Sequence, residues 1–190
     1  YYIRLIYMSY FSGDWKEDLL VLESFLETIE YKTSTDRLKA YGIKRSEGGS
    51  VLMGWTWRGK MSETKCREWC SEKKKYKTKL MAERPDIMEM LEQFRNQWFP
   101  SYEFDSAQLN RNYKIPPHKD TGNIGDSVIV CCGDYEGGEL VVVVDDKHIS
   151  FCPNKMPVVF NGSKHTHYVK EFTGLRYSVV FFKSKWWTAD

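Results

Sequence analysis

His118-Lys119-Asp120 sets an imidazole and a carboxylate two positions apart, and a second imidazole, His167, follows ahead of Arg176-Tyr177-Ser178. In an extended segment side chains alternate faces, so His118 and Asp120 point the same way and can reach one metal ion while Lys119 points elsewhere. With a third ligand from another strand, two imidazoles and one carboxylate make the facial triad that holds non-haem Fe(II) and leaves coordination positions open for substrates. The chemistry suggested is oxygen activation. His167 precedes the β-prone run from Arg176 to Phe182, so a return strand would bring it back to the first two ligands. His165 is the rival third ligand. The spacing of His167 to Arg176, and the alternating pattern carried on by Tyr168 and Val169, favour His167.

An H-x-D by itself is common, and a lone later histidine is ordinarily a surface or satisfied core residue. Arg176 changes that balance because it sits in an otherwise apolar strand. A guanidinium facing a protein interior is costly to desolvate unless a carboxylate meets it, and arginine offers a bidentate fork for that purpose. An anionic co-substrate is therefore expected; the alternative is an internal Asp or Glu partner.

The C-terminal half is similar to the Fe(II)/2-oxoglutarate-dependent dioxygenases, and within that superfamily it resembles the TET/JBP group of nucleic-acid base oxygenases. The segments that carry the likeness are Pro117–Ser127, Gly133–Leu140 (Gly-Asp-Tyr-Glu-Gly-Gly-Glu-Leu), Phe160-Asn161-Gly162, and His167–Phe182 with Phe172-Thr-Gly-Leu-Arg-Tyr-Ser178 at its centre. Before Asn110 the likeness fades. The resemblance implies a double-stranded β-helix and a reaction that uses Fe(II), 2-oxoglutarate and dioxygen, with oxidative decarboxylation of 2-oxoglutarate coupled to hydroxylation of a C–H bond. It also implies that His118, Asp120 and His167 hold the iron and that Arg176 and the Ser178 hydroxyl take the far carboxylate. Asn112 and Tyr113 look like positions that line the co-substrate pocket in related enzymes; the other reading of Tyr113 is an ordinary core residue. Asn123, in the turn just after Asp120, is similar to residues that read the base, and its amide could pair with a pyrimidine edge. The other reading of Asn123 is an ordinary turn asparagine.

The 190 residues suit one sizeable core, and 42% hydrophobic with 15% aromatic residues excludes disorder for most of the chain. A single domain over 1–190 is expected, with 1–100 as a helical support region and 101–190 as the jelly-roll catalytic core. The net charge of +2 is too small for the whole-molecule field to argue for a nucleic-acid partner. Five cysteines, at 66, 70, 131, 132 and 152, make no C-x-x-C or zinc pattern. They read as reduced thiols in an intracellular, nuclear or cytoplasmic setting, with Cys131 and Cys132 as small hydrophobes in an apolar run. No stretch is long and apolar enough for a membrane span, and no obligate protein partner is evident.

Elements must place these residues. Leu19, Leu22, Phe25, Leu26 and Ile29 recur at helical spacing behind an Asp14 cap, and Ile87, Leu91, Phe94 and Trp98 do so behind Pro85, with Pro100 as the stop. Residues 31–49 read as a polar connector, 51–57 as a strand, and the lysine-rich run 72–79 as a solvated loop. Met81, Met88 and Met90 read as core filler. Strands are expected over 102–113, 127–132, 140–145, 157–160 and 177–182, punctuated by turns at Gly133-Asp134, Asp145-Asp146, Pro153-Asn154 and Gly162. That pattern predicts an α+β, mainly β molecule: a jelly roll, or double-stranded β-helix, with the N-terminal helices on its larger sheet.

For substrate, the TET/JBP likeness points to the 5-methyl group of 5-methylcytosine or thymine in nucleic acid, DNA first. The same fold serves a second class, protein or peptide hydroxylation of the prolyl type. A non-catalytic module would require a broken triad, and the triad residues are intact.

Overall fold

The computed structural model describes residues 10–32, 48–57 and 75–184. Lys73 and Lys74 of the lysine-rich run, Cys66 and Cys70, and most of the 31–49 connector lie outside these residues.

Helix α1 (Trp15–Glu27) begins where Asp14 accepts the backbone N–H groups of Lys16 and Glu17, two donors the first turn otherwise leaves unpaired. It buries Leu22 and Leu26 completely, each contributing about 1.5–3 kcal/mol as area removed from water. Strand β1 (Gly49–Trp57) and strand β2 (Lys75–Lys77) follow, then the short α2 (Lys79–Glu83) and α3 (Pro85–Trp98). Proline at the start of α3 loses no helical hydrogen bond there, and Ile87, Met88, Met90, Leu91 and Phe94 fill its inner face.

The remaining strands are β3 (Ser106–Arg111), β4 (Asn123–Cys132), β5 (Tyr135–Gly137), β6 (Leu140–Val144), β7 (Lys147–Phe151), β8 (Val158–Phe160), β9 (His167–Val169), β10 (Phe172–Gly174) and β11 (Tyr177–Ser184). They form a six-stranded sheet in the order β2-β1-β3-β11-β4-β8, a three-stranded sheet β7-β6-β9, and the pair β10-β5. All the pairings are antiparallel. This is the mainly β jelly roll with helices on the larger sheet that the turn pattern predicts.

Alternation on the central strands divides the interior in two. Ala107, Leu109, Val128, Val130, Cys132, Tyr177, Val179 and Phe181 meet the helices in one core. On the opposite face Ile129 and Cys131 join Leu140, Val142, Val158 and Phe160 in a second core between the sheets. A cavity lies on that second face.

Several local expectations are corrected. Residues 75–77, read as part of a solvated loop, pair with 55–57 as β2, because the open edge of β1 offers backbone partners whatever the side-chain charge. The region before residue 101 thus supplies two strands of the larger sheet as well as helices. Strand β3 is shorter than the 102–113 run, since Asn112 has φ +47 and ends the ladder. The Asp145-Asp146 turn has both residues at positive φ, the backbone a two-residue hairpin between β6 and β7 requires.

Candidate metal centre and adjoining cavity

His118 and His167 face one another as an isolated antiparallel bridge and exchange both backbone hydrogen bonds, at 3.1 and 2.9 Å. Asp120 is fixed from the other side, its N–H donating to the Gly162 carbonyl at 2.8 Å. Two short stretches on opposite sides of one bridge therefore bring three side chains to a point. The ligating atoms of His118, Asp120 and His167 lie within 4.8 Å of one another, and His118 Nε2 and His167 Nε2 each stand 3.5 Å from an Asp120 oxygen. His165 is outside this cluster; its backbone carbonyl instead meets His167 Nδ1 at 3.2 Å.

That contact fixes chemistry as well as orientation. The Nδ1 of His118 meets the Pro116 carbonyl at 2.9 Å, and a carbonyl only accepts, so in both rings Nδ1 carries hydrogen and a neutral ring offers its Nε2 lone pair. Two lone pairs and a carboxylate converging at this range repel unless protons or a cation lie among them. Burial pushes the Asp120 carboxyl up, but where protons fill the cluster, hydrogen bonds and charge from the His118 and His167 side outweigh burial and hold the group well below the ordinary carboxylate range. The donor set, two imidazole nitrogens and one carboxylate on one side of an open space, suits a divalent first-row metal such as Fe(II).

Gly162 lets the backbone approach this cluster. A Cβ there would come within 3.1 Å of both Asp120 Oδ2 and His167 Cε1, and within 3.0 Å of the Phe160 ring.

A cavity of about 110 Å³ adjoins the three ligands. Asn110, Tyr113, Asn123 and Ser178 contribute polar wall; Ile129, Leu140, Phe160 and Val180 contribute apolar wall. Strand register explains the grouping: Ser178 pairs with Asn110 and Val180 with Gln108 across β3 and β11, so these alternate residues share the barrel face. Asn110 Nδ2 donates to Ser178 Oγ at 3.2 Å, while Asn110 Oδ1 and the Tyr113 hydroxyl are buried without a hydrogen-bond partner among the described residues.

Arg176 is 1% exposed, and no carboxylate reaches it among the described residues. Its guanidinium lies 5.5 Å from the ring centres of both Tyr135 and Phe172, one terminal nitrogen donates to Cys131 Sγ at 3.0 Å, and Nε has no hydrogen-bond partner among the described residues. Arg176 is not itself a wall of the cavity; it stands just before β11, two residues ahead of Ser178. Asn112 also stands outside the wall: its Oδ1 accepts the Arg176 backbone N–H at 2.7 Å. Tyr113 and Asn123 do line the cavity. Asn110, Gln108 and Gly162 are additions to the residues singled out from sequence. The alternation of Gln108 and Asn110 with Ala107 and Leu109 is the signal that marks the first two.

No protein-family model and no curated protein matches the chain. Among solved structures it is similar to an oxidoreductase of the 2-oxoglutarate-Fe(II) oxygenase family from Burkholderia pseudomallei, at TM-score 0.56 and 17% identity, covering 86% of this chain and 76% of that one. It is also similar to NgTET1 in complex with 5mC DNA, at TM-score 0.51 and 17% identity over 87% of this chain and 68% of that one. A Pseudomonas putida prolyl-4-hydroxylase aligns at TM-score 0.43 and 15% identity over 92% of this chain and 88% of that one. The chain thus has the jelly-roll fold of the 2-oxoglutarate-Fe(II) oxygenase structures, with a two-histidine, one-aspartate cluster inside it.

Proposed function

We propose that the chain is an Fe(II)- and 2-oxoglutarate-dependent oxygenase, with the helices and strands acting as one domain. The observation that carries this is a buried guanidinium without an acidic partner among the described residues, in the same barrel as a closed triad of metal-ligand type. Among the described residues, three of the five buried, unpartnered side-chain atoms belong to Asn110, Tyr113 and Arg176, as expected where an anionic co-substrate completes the hydrogen bonding.

In this reading His118, Asp120 and His167 hold Fe(II), which with 2-oxoglutarate and dioxygen supplies the oxidation of an unreactive C–H bond. Arg176 and Ser178 hold the distal carboxylate of 2-oxoglutarate. The Tyr113 hydroxyl and the Asn110 carboxamide supply further polar contacts in the same wall. Ile129, Leu140, Phe160 and Val180 keep water away from that end of the cavity, which strengthens each charge-assisted contact there.

The proposed substrate is the 5-methyl group of a pyrimidine base in nucleic acid, DNA first, and Asn123 at the cavity rim is the residue proposed to read the base edge. Support comes from the TET/JBP-like segments, and the fold neighbour described with 5mC DNA is compatible with it. The test is to supply the Fe(II)-loaded protein and 2-oxoglutarate with 5-methylcytosine oligonucleotides, thymine oligonucleotides or proline-containing peptides, following succinate and a 16-dalton mass gain, one oxygen atom. Stimulation by a methylated oligonucleotide alone is expected. Stimulation by peptide alone would replace the substrate with a prolyl-type one, and absence of succinate in every arm would overturn the oxygenase reading.

A further inference from the structure

Cys131 sits against the one group in the barrel whose direction matters most for an incoming dicarboxylate. Its thiol is completely buried and accepts from an Arg176 terminal nitrogen at 3.0 Å. The other contacts on the guanidinium are the ring faces of Tyr135 and Phe172. None of these neighbours carries a countercharge.

The register gives the thiol contact a direction. Cys131 is the cross-strand partner of Ser178, which in turn pairs with Asn110, so the three form one row across β4, β11 and β3. Arg176 starts one repeat away, beside Asn112, and its side chain reaches back to the Cys131 end of that row. Gly138 leaves the space for this path, since a Cβ at that position would stand 2.9 Å from Arg176 Nε and 3.0 Å from its Cδ.

We propose that Cys131 is a positioning residue for co-substrate recognition: its sulfur holds the Arg176 guanidinium in the row of Ser178 without neutralising it. The inference rests on the 2-oxoglutarate reading above. A thiol suits the task because it is a weak acceptor. A carboxylate in its place would capture the fork in an internal ion pair, and an apolar residue would leave the guanidinium free to swing. The residue thus has a role in addition to its apolar packing in the run Val128–Cys132.

The test is calorimetric titration of Mn(II)-loaded protein with 2-oxoglutarate and with 2-oxobutyrate, which lacks the distal carboxylate, for wild type and for Cys131→Ala, Cys131→Ser and Cys131→Asp. Loss of a hydrogen bond to a charged group predicts about tenfold weaker 2-oxoglutarate binding by Cys131→Ala, with 2-oxobutyrate binding unchanged. Cys131→Ser, which keeps an acceptor, is expected to stay near wild type. Cys131→Asp is expected to lose the preference for 2-oxoglutarate while still binding Mn(II). Should the aspartate variant fail to fold, the alanine and serine pair decides. Equal 2-oxoglutarate affinity and equal discrimination in wild type and Cys131→Ala would overturn the role of Cys131, whereas a wild type that binds no 2-oxoglutarate at all would overturn the oxygenase reading instead.

Discussion

At the scale of single residues, the site combines groups that sequence spacing marks with groups that only the folded chain brings close. The H-x-D pair is legible because alternation in an extended segment is local. His167 was separable from His165 by strand pattern, and the His118–His167 bridge then places it at the cluster. Gly162 was not legible as a neighbour of the ligands, since nothing in Phe160-Asn161-Gly162 reveals how near its α-carbon comes to Asp120 and His167. A methyl at 162 would crowd two ligands by a few tenths of an ångström. Gly162→Ala is therefore expected to weaken metal binding by about tenfold or more while leaving the fold intact. Gly122→Ala, where a Cβ meets nothing within 4 Å, serves as the control and should bind metal like wild type. Calorimetric Mn(II) titration of the two variants checks this, and equal affinities would contradict the steric account.

At the scale of elements, the helices work as a clamp on the back of the larger sheet, and their attachment depends on a buried carboxylate. Asp18 has no exposed surface and accepts the Ser12 N–H at 2.7 Å, with the Ser12 hydroxyl, the Gly13 N–H and the Trp98 indole N–H each at 3.1 Å. One side chain thereby ties the chain entering α1 to the last residue of α3. Removing it strands several buried donors, so Asp18→Ala is expected to lower unfolding stability by about 3 kcal/mol, with Asp18→Asn in between. Urea denaturation measures this, and a loss below about 1 kcal/mol would contradict the role. Periodicity located α1 and α3, because amphipathic helices advertise their buried stripe. It missed β5, β7 and β10 because short strands, such as the three-residue β5 and β10, are held by their partners rather than by their own composition. Asp18 was equally opaque: a first-turn acid is ordinarily exposed, and its burial follows from Trp98 in a distant element.

At the scale of the whole molecule, the two-core plan is what makes the site possible. One face of the central strands is spent on the helices, so the other face is free to carry polar groups such as Asn110 and Ser178 among apolar neighbours. The jelly-roll class was legible from the many short strands and turns. The strand order was not, since β3 lies between β1 and β11 through pairings that span much of the chain. A net charge of +2 is too small for a whole-molecule field to select a substrate, so specificity is proposed to reside at the cavity rim. The claim on which all of this rests is that His118, Asp120 and His167 grip one metal ion. Equilibrium Mn(II) titration of wild type, His167→Ala and His165→Ala tests it most directly: one ion is expected to bind wild type and His165→Ala alike, and His167→Ala to bind about a hundredfold more weakly. Binding that survives in His167→Ala and fails in His165→Ala, or a wild type without a stoichiometric site, would contradict it.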